Sequence, residues 1–326
     1  MKIRDEAFQY YFYFMQERMN IFRQRNNKTC NLFSNLTNDP IFSEYKFTNV
    51  YRVCDRVSQY LVRNVIYSTK DNFSAQDTIL RIILFKIFNR IDTWEFIEHK
   101  LGVVSTKNFN ITDISNILSE RINERPIFSA AYLMTGTHSK YIIGYLYKHE
   151  KWLQMLKTEI MNETTINKML NCKTLKELYE LLIGCSFIGP FLAYQYAIDL
   201  NYSDVFDFDE NSFVMAGIGA IRGIKKCFSD LGGYSYEDAI HYTAQNIEKY
   251  REKYGYNFNN LFGRQPTLID LQNCFCETDK FLRVKLPELS VGNKRIKQKF
   301  KMNPTKIDLF FPPKWNLNYP LENQWI

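Results

Sequence analysis

Residues 181–195 read Leu181-Leu-Ile-Gly-Cys-Ser-Phe-Ile-Gly-Pro-Phe-Leu-Ala-Tyr-Gln195. The spacing predicts a helix, a tight turn around Ile188-Gly189-Pro190, and a second helix that starts at the proline. Proline suits a first helical position because its missing N–H would have no partner there anyway. A glycine just before it leaves the next N–H groups aimed outward, which suits a phosphate. An ordinary corner between two packed helices fits the same spacing.

Helical periodicity continues on both sides of this stretch. It predicts helices over 5–25, 47–67, 75–91, 93–101, 112–124, 140–161 and 174–184, then 190–200, 211–230, 235–253 and 267–285. Thr112-Asp113 and Ser235-Tyr-Glu-Asp238 read as caps. Alternation with period two is nearly missing, with a hint of extended chain at Asp204–Phe208. The C-terminal Phe311-Pro-Pro-Lys-Trp315 reads as coil packed on the body. The fold class is all-α.

With 45% hydrophobic and 24% charged residues over 326 positions, the chain is neither disordered, collagenous nor a disulfide mini-protein. Its net charge of +7 is concentrated: between Arg283 and Lys306 eight basic residues face one acid, Glu288, and the remainder balances. Such a strap points to a polyanion or to a solvated loop. Seven scattered cysteines suggest reduced thiols and a cytoplasmic location. Neither the lone Cys274-x-Cys276 pair nor the four separated histidines make a metal site, so no metal or cofactor is expected. No signal peptide is visible, and the apolar run 79–88 is interrupted by Arg81 and Lys86, so no membrane contact is expected.

Three further stretches carry candidate chemistry. In Asp207-Phe-Asp209-Glu210-Asn211, carboxylates precede a predicted helix. Asp209 fits a helix N-cap, or a carboxylate stabilising an oxocarbenium-like sugar and activating water. Gly217-Ile-Gly219-Ala-Ile-Arg222-Gly223-Ile-Lys225-Lys226 fits either close approach to a phosphate chain or glycine-mediated helix packing. No buried strand precedes it, so a dinucleotide fold is set aside. On a helix over 47–67, Asn49, Arg52, Arg56, Gln59 and Arg63 form one polar line, which suits phosphates, a buried carboxylate or a solvated face.

Together these stretches resemble a known family. F-T-N-V-Y-R-x-x-D-R (47–56), G-P-F-L-A-Y-Q-x-x-x-D-L (189–200), D-E-N-x-F-x-x-A-G-x-G-A-x-R-G-I (209–224) and C-E-x-x-K-x-x-R (276–283) are similar to the α-glutamyl/putrescinyl-thymine pyrophosphorylase family, a branch of the helix-hairpin-helix DNA glycosylase superfamily. The likeness spans roughly 8–285, and Ile218 departs from the family's usual G-P-G-A.

The resemblance implies a bilobal helix-hairpin-helix body: a helical lobe over 70–205 that ends in the hairpin, and a C-terminal helical lobe over 206–326 with which N-terminal helices over 1–69 pack. It implies double-stranded phage DNA carrying modified pyrimidines as partner, a flipped base, and a monomer. Phe187 stands where the superfamily's hairpin has glycine, and Phe191 where lyase-type members carry their nucleophilic lysine. The expected activity is therefore a monofunctional DNA N-glycosylase that excises a hypermodified pyrimidine, foremost a glucosylated 5-hydroxymethyl base, in antiviral defence. Asp209 and Glu210 are its implied catalytic residues, and Asn49, Arg52, Asp55 and Gln195 its base pocket. Arg56, Ser186, Gly189, Gly217, Gly219, Arg222, Gly223, Lys280, Lys294, Arg295, Lys297 and Lys299 are implied contacts to the DNA backbone. The alternatives are an amino-acid or polyamine transferase acting on pyrophosphorylated 5-hydroxymethyluracil in DNA, and a DNA-binding adaptor without catalysis.

Overall fold

The computed structural model describes residues 1–27, 36–68, 72–132, 134–256, 258–290, 296 and 298–318. In chain order its helices are α1 (Asp5–Asn26), α2 (Pro40–Glu44), α3 (Arg56–Tyr60), α4 (Ala75–Phe88), α5 (Ile91–Leu101), α6 (Ile111–Arg121) and α7 (Lys148–Met155). There follow α8 (Glu163–Asn171), α9 (Leu175–Ile183), α10 (Pro190–Leu200), α11 (Ile218–Cys227), α12 (Tyr236–Gln245), α13 (Ile247–Tyr254) and α14 (Leu268–Lys285). Among the described residues the sheet content is a two-stranded ribbon, β1 (Lys2–Ile3) antiparallel to β2 (Phe228–Asp230). The all-α class holds. Asp204–Phe208 is turn and coil, not strand, and β1 is too short to show as alternation. Pairing with β1 also ends α11 at Cys227 instead of residue 230.

The chain divides into two compact units, one of Met1–Arg56, Phe213–Leu309 and Asn316–Ile326, the other of Val57–Ser212 and Phe310–Trp315. The divisions fall at 56/57 and 212/213, displaced from the expected 69/70 and 205/206.

In the first unit α1 supplies the core. Phe8, Tyr11, Phe12, Phe14 and Met15 are fully buried. Tyr11 lies 4.3 Å from Phe275 of α14 between ring centroids, and Phe8 meets Tyr250 of α13 edge-on at 4.9 Å. A second cluster joins Phe14, Phe42, Phe47 and Phe281. Much of the aromatic excess of the sequence is spent here, each ring adding apolar area and edge-to-face contacts.

In the second unit α4 is buried on every side from Thr78 to Phe88, as a helix that is apolar all round must be. Its two cations are paired inside. Arg81 donates to the Val65 and Val104 carbonyls, both at 2.9 Å, and to Glu98, also at 2.9 Å. Lys86 meets Asp199 of α10 at 3.1 Å and Asn89 at 2.7 Å. Among the described residues no helix is long and apolar enough to cross a membrane.

Three expected long helices are broken. Over 47–67 the chain makes a 3-10 turn at Arg52–Cys54, then α3 and a π-helical stretch at Leu61–Ile66. Over 140–161 a 3-10 turn at Ser139–Tyr141 is followed by a loop, α7 and a π-helical stretch at Leu156–Ile160. Gly144 at φ +90° turns that loop, and the Glu150 carboxylate, accepting the Tyr147 N–H at 2.7 Å, starts α7 afresh. The expected 235–253 helix is likewise two, α12 and α13, meeting at Asn246.

Candidate functional site

In the second unit α9 and α10 form the expected pair around the turn 184–189. Ser186 is buried, and its N–H and hydroxyl both donate to the Glu159 carboxylate at 2.7 Å. Tyr141 donates to the same carboxylate at 2.7 Å. Burial pushes the Glu159 carboxyl up, but these hydrogen bonds outweigh it and hold it below its ordinary range. Ser186 thus braces the turn from inside and has no group left for a phosphate. Phe187 keeps the left-handed backbone of a glycine, at φ +67°. Its ring stacks on Trp152 at 5.2 Å and touches Tyr141 at 5.2 Å and His138 at 5.3 Å. Gly189 is the N-cap of α10, and a Cβ there would meet nothing within 4 Å. The N–H groups of Phe191 and Leu192 have no partner within the helix, and they follow this open glycine.

The acidic loop of the second unit differs from expectation. α11 begins only at Ile218, so Asp209 caps no helix. It is exposed and closes a turn: its carboxylate accepts the Asn211 N–H at 2.8 Å and its carbonyl the Ser212 hydroxyl at 2.6 Å. Glu210 is buried. The loop is held by Asn201, which exchanges two hydrogen bonds with the Phe208 backbone at 2.9 and 3.0 Å. Lys314 from the C-terminal coil donates to the Ser203 and Phe206 carbonyls at 3.2 and 2.6 Å and lies 3.7 Å from Asp207. Gln195 is buried on α10.

In the first unit Asn49 and Asp55 come together, on a loop and not on one helix face. Asp55 accepts the Asn49 N–H at 2.9 Å and its amide at 3.2 Å. That amide also donates to the Cys54 carbonyl at 2.9 Å, while Arg18 donates to the Asn49 side-chain oxygen at 2.8 Å. Thr48 donates its N–H to Glu277 of α14 at 3.1 Å, and Lys280 pairs with Glu277 at 2.6 Å. Arg52 is buried, its N–H bound to Asp270 at 2.7 Å. Desolvation raises Asp55 to about 6, against the opposing pull of the Asn49 N–H and the Arg18 charge. The polar line expected of a single helix is split: Asn49 and Arg52 belong to this latch between α1, the 48–55 loop and α14, whereas Arg56 donates to the Thr305 carbonyl and Gln59 accepts the Phe310 N–H. Arg18 was not among the expected residues, because the periodicity of α1 gives it no distinction from its neighbours.

The glycine stretch resolves in favour of packing. A Cβ on Gly219 would overlap the Cys276 sulfur, and one on Gly223 the Phe275 carbonyl oxygen. Both therefore face α14 and not a phosphate. Gly217 is the buried N-cap of α11. Lys226 is also interior, bound to Asp279 at 3.0 Å and Ser290 at 2.9 Å. Arg222 and Lys225 stay exposed on α11.

Of the basic strap, Lys294, Arg295 and Lys297 lie outside the described residues. The part beyond is tied down through its backbone. Lys46 donates to the Gln298 carbonyl at 3.1 Å and Phe300 to the Glu44 carbonyl at 2.9 Å. Arg25 donates to the Asn303 carbonyl, and Arg56 to that of Thr305 at 2.7 Å. Arg56 thus holds the strap, Lys280 is engaged with Glu277, and Lys299 pairs with Glu44. Lys301 and Lys306 project as exposed side chains.

Comparison with known proteins adds what geometry alone does not. Residues 5–291 match the family model described as the helical domain of 5-hmdU DNA kinase. A 5-hmdU DNA kinase of Bacillus phage SP10 is 23% identical over 307 residues, covering 86% of this chain and 46% of the relative. The chain therefore spans about half the length of that relative. No solved structure matches. These findings overturn the N-glycosylase expectation, and with it hydrolysis of the base–sugar bond and the antiviral role. The matched family is named for a DNA kinase, a phosphotransferase. By the match over most of its length, this chain belongs to the 5-hmdU DNA kinase helical domain family.

Proposed function

We infer that this chain serves phosphoryl transfer to the 5-hydroxymethyl group of hydroxymethyldeoxyuridine in DNA, as the helical part that grips the DNA and presents the base. The family match over 5–291 carries this reading. In such a transfer the hydroxymethyl oxygen attacks the γ-phosphorus of a nucleoside triphosphate. The bond to the diphosphate breaks, and the hydroxyl proton passes to a base or to water. The sugar–base bond stays intact throughout, so no carboxylate need face the sugar.

Two features support the DNA-gripping role, each within its own unit. The open Gly189 at the start of α10 leaves room for a phosphate against helical N–H groups. The exposed Arg222, Lys225, Lys301 and Lys306 offer sequence-independent charge. The transferase alternative acts on a 5-hydroxymethyluracil that is already pyrophosphorylated and installs an amine, and the family's name favours the phosphorylation step.

The test uses duplexes with one 5-hydroxymethyluracil or one thymine at the same site. Tighter binding to the hydroxymethyl duplex is the expected result, because gripping the DNA and presenting the base is the part of the reaction assigned to this chain. Equal binding to both duplexes would sink the reading.

A further inference from the structure

Six residues near the C-terminus, Phe310-Phe-Pro-Pro-Lys-Trp315, belong to the second unit, whereas the chain on either side of them belongs to the first. They lie outside the 5–291 family match. The residues leading to them, 301–306, are exposed and without regular structure. Within the six the chain turns inward: Phe311 is 0% exposed and Pro312 is buried. A short sequence that buries its side chains behind an exposed leader has the form of a docked linear motif.

The motif is anchored along its length. Phe310 donates its N–H to the Gln59 side-chain oxygen at 2.8 Å, and its ring lies 5.8 Å from Tyr67. Trp315 meets Tyr202 edge-on at 5.6 Å. Between them Lys314 reaches the Ser203 and Phe206 carbonyls just past the C-terminal end of α10, where a cation is favoured. Asp207 adds a carboxylate at 3.7 Å. Pro312 and Pro313 fix two φ angles beforehand, so ordering the motif costs less entropy than ordering an ordinary peptide.

The receiving surface has bonds of its own. Tyr67 donates to the Tyr202 carbonyl at 3.0 Å and to Asp204 at 2.8 Å. Asn201 ties Phe208 across the acidic loop. The ends of that loop are thus held from within the unit, while carbonyls in its middle meet Lys314. The exposed, unstructured leader places the segment at the low end of local stability, where it opens without global unfolding. Two tyrosine rings with carbonyls and a carboxylate between them fit a peptide in the order aromatic, proline, lysine, aromatic. We propose that this face of the second unit is a recognition groove for the Phe-Phe-Pro-Pro-Lys-Trp motif, in which the tail docks as a releasable clip that holds the middle of the acidic loop.

The experiment measures hydrogen exchange in the full chain at 203–207, with α4 and α10 as internal references. In Lys314→Ala, which leaves Phe311 seated, exchange at 203–207 should rise roughly tenfold, the scale of one charged hydrogen bond, while α4 and α10 hold. Phe311→Ser combined with Lys314→Ala should raise it further. A fluorescent peptide of residues 306–318 should then bind the double variant and restore slow exchange, and the same peptide with Lys314→Ala should not. Wild type should bind the peptide far more weakly, since its tethered tail competes at an effective concentration on the order of millimolar. Unchanged exchange at 203–207 in both variants overturns the clip. So does a peptide that leaves the double variant unbound, or that binds wild type and variant alike. Exchange that quickens equally through α4 and α10 makes the six residues part of the core and overturns it as well.

Discussion

Phe187 shows how one residue can keep a shape that its side chain disfavours. A left-handed backbone costs a non-glycine residue about 1–2 kcal/mol, and here burial against Trp152, Tyr141 and His138 offsets it. Phe187→Gly relieves the backbone but empties the aromatic site, so a net loss of about 2–4 kcal/mol is expected from the cavity. Urea melts measure it, and an unchanged midpoint would show that the ring does not hold the turn. Asp55 makes the second residue-level case. Its pKa is raised to about 6 from an ordinary 3.8, so the folded chain holds a proton that the unfolded chain has already released. Its contribution to stability therefore falls as pH rises from about 4 to about 6. Relative to Asp55→Asn, wild type should lose stability across that window and run parallel to it above. A difference profile that is flat, or that rises with pH, contradicts the desolvation of this carboxyl. The sequence displays a phenylalanine where the resemblance leads one to expect glycine. That the backbone nevertheless keeps the glycine shape depends on Trp152 and Tyr141, more than thirty residues away.

At the level of elements, glycines that look alike in sequence separate by what a Cβ would meet. Gly223→Ala drives a methyl into the Phe275 carbonyl where α11 crosses α14, and should cost about 1–3 kcal/mol through overpacking. Gly189→Ala adds its methyl to open space at a negative φ of −81°, so the melting midpoint should barely move. Duplex affinity should fall instead, because the methyl occupies the approach to the α10 N–H groups. Comparing the two variants by thermal melts and by filter binding checks the assignment, and the opposite pattern would exchange the roles of the two glycines. The sequence cannot make this separation, since helix packing and phosphate approach both ask for a missing side chain. It does locate α10 at 190–200 and places α1 and α14 within one residue at each end, because proline, capping boxes and apolar period agree there. Over 47–67 and 140–161 the apolar period alone misleads. Asp55 draws the Asn49 backbone into a loop, and Gly144 turns the chain out of the helix, and neither effect has a periodic signature.

For the molecule as a whole, net charge points to a polyanion and leaves the reaction open. A flipped pyrimidine with a 5-substituent suits excision and phosphorylation alike, so the motifs legible in the sequence could not choose between them, and the family match was needed. The strap adds a physical constraint of its own. Between Gln298 and Thr305 its backbone is pinned to Lys46, Glu44, Arg25 and Arg56, and Lys299 is neutralised by Glu44. The tether leaves Lys301 and Lys306 as exposed charges on a fixed support. If each neutralises one phosphate, Lys301→Gln with Lys306→Gln removes two counterion-release events. The slope of log affinity against log salt should then shrink by about 1.8 for duplex DNA. Lys299→Gln should shrink it by much less, since its charge is already paired. Preference for hydroxymethyluracil over thymine should stay constant in all these variants, because phosphate contacts carry no base information. Titrations at four salt concentrations on both duplexes decide the matter. An unchanged slope would place the DNA away from this strap, and a changed base preference would place the strap in the base site itself.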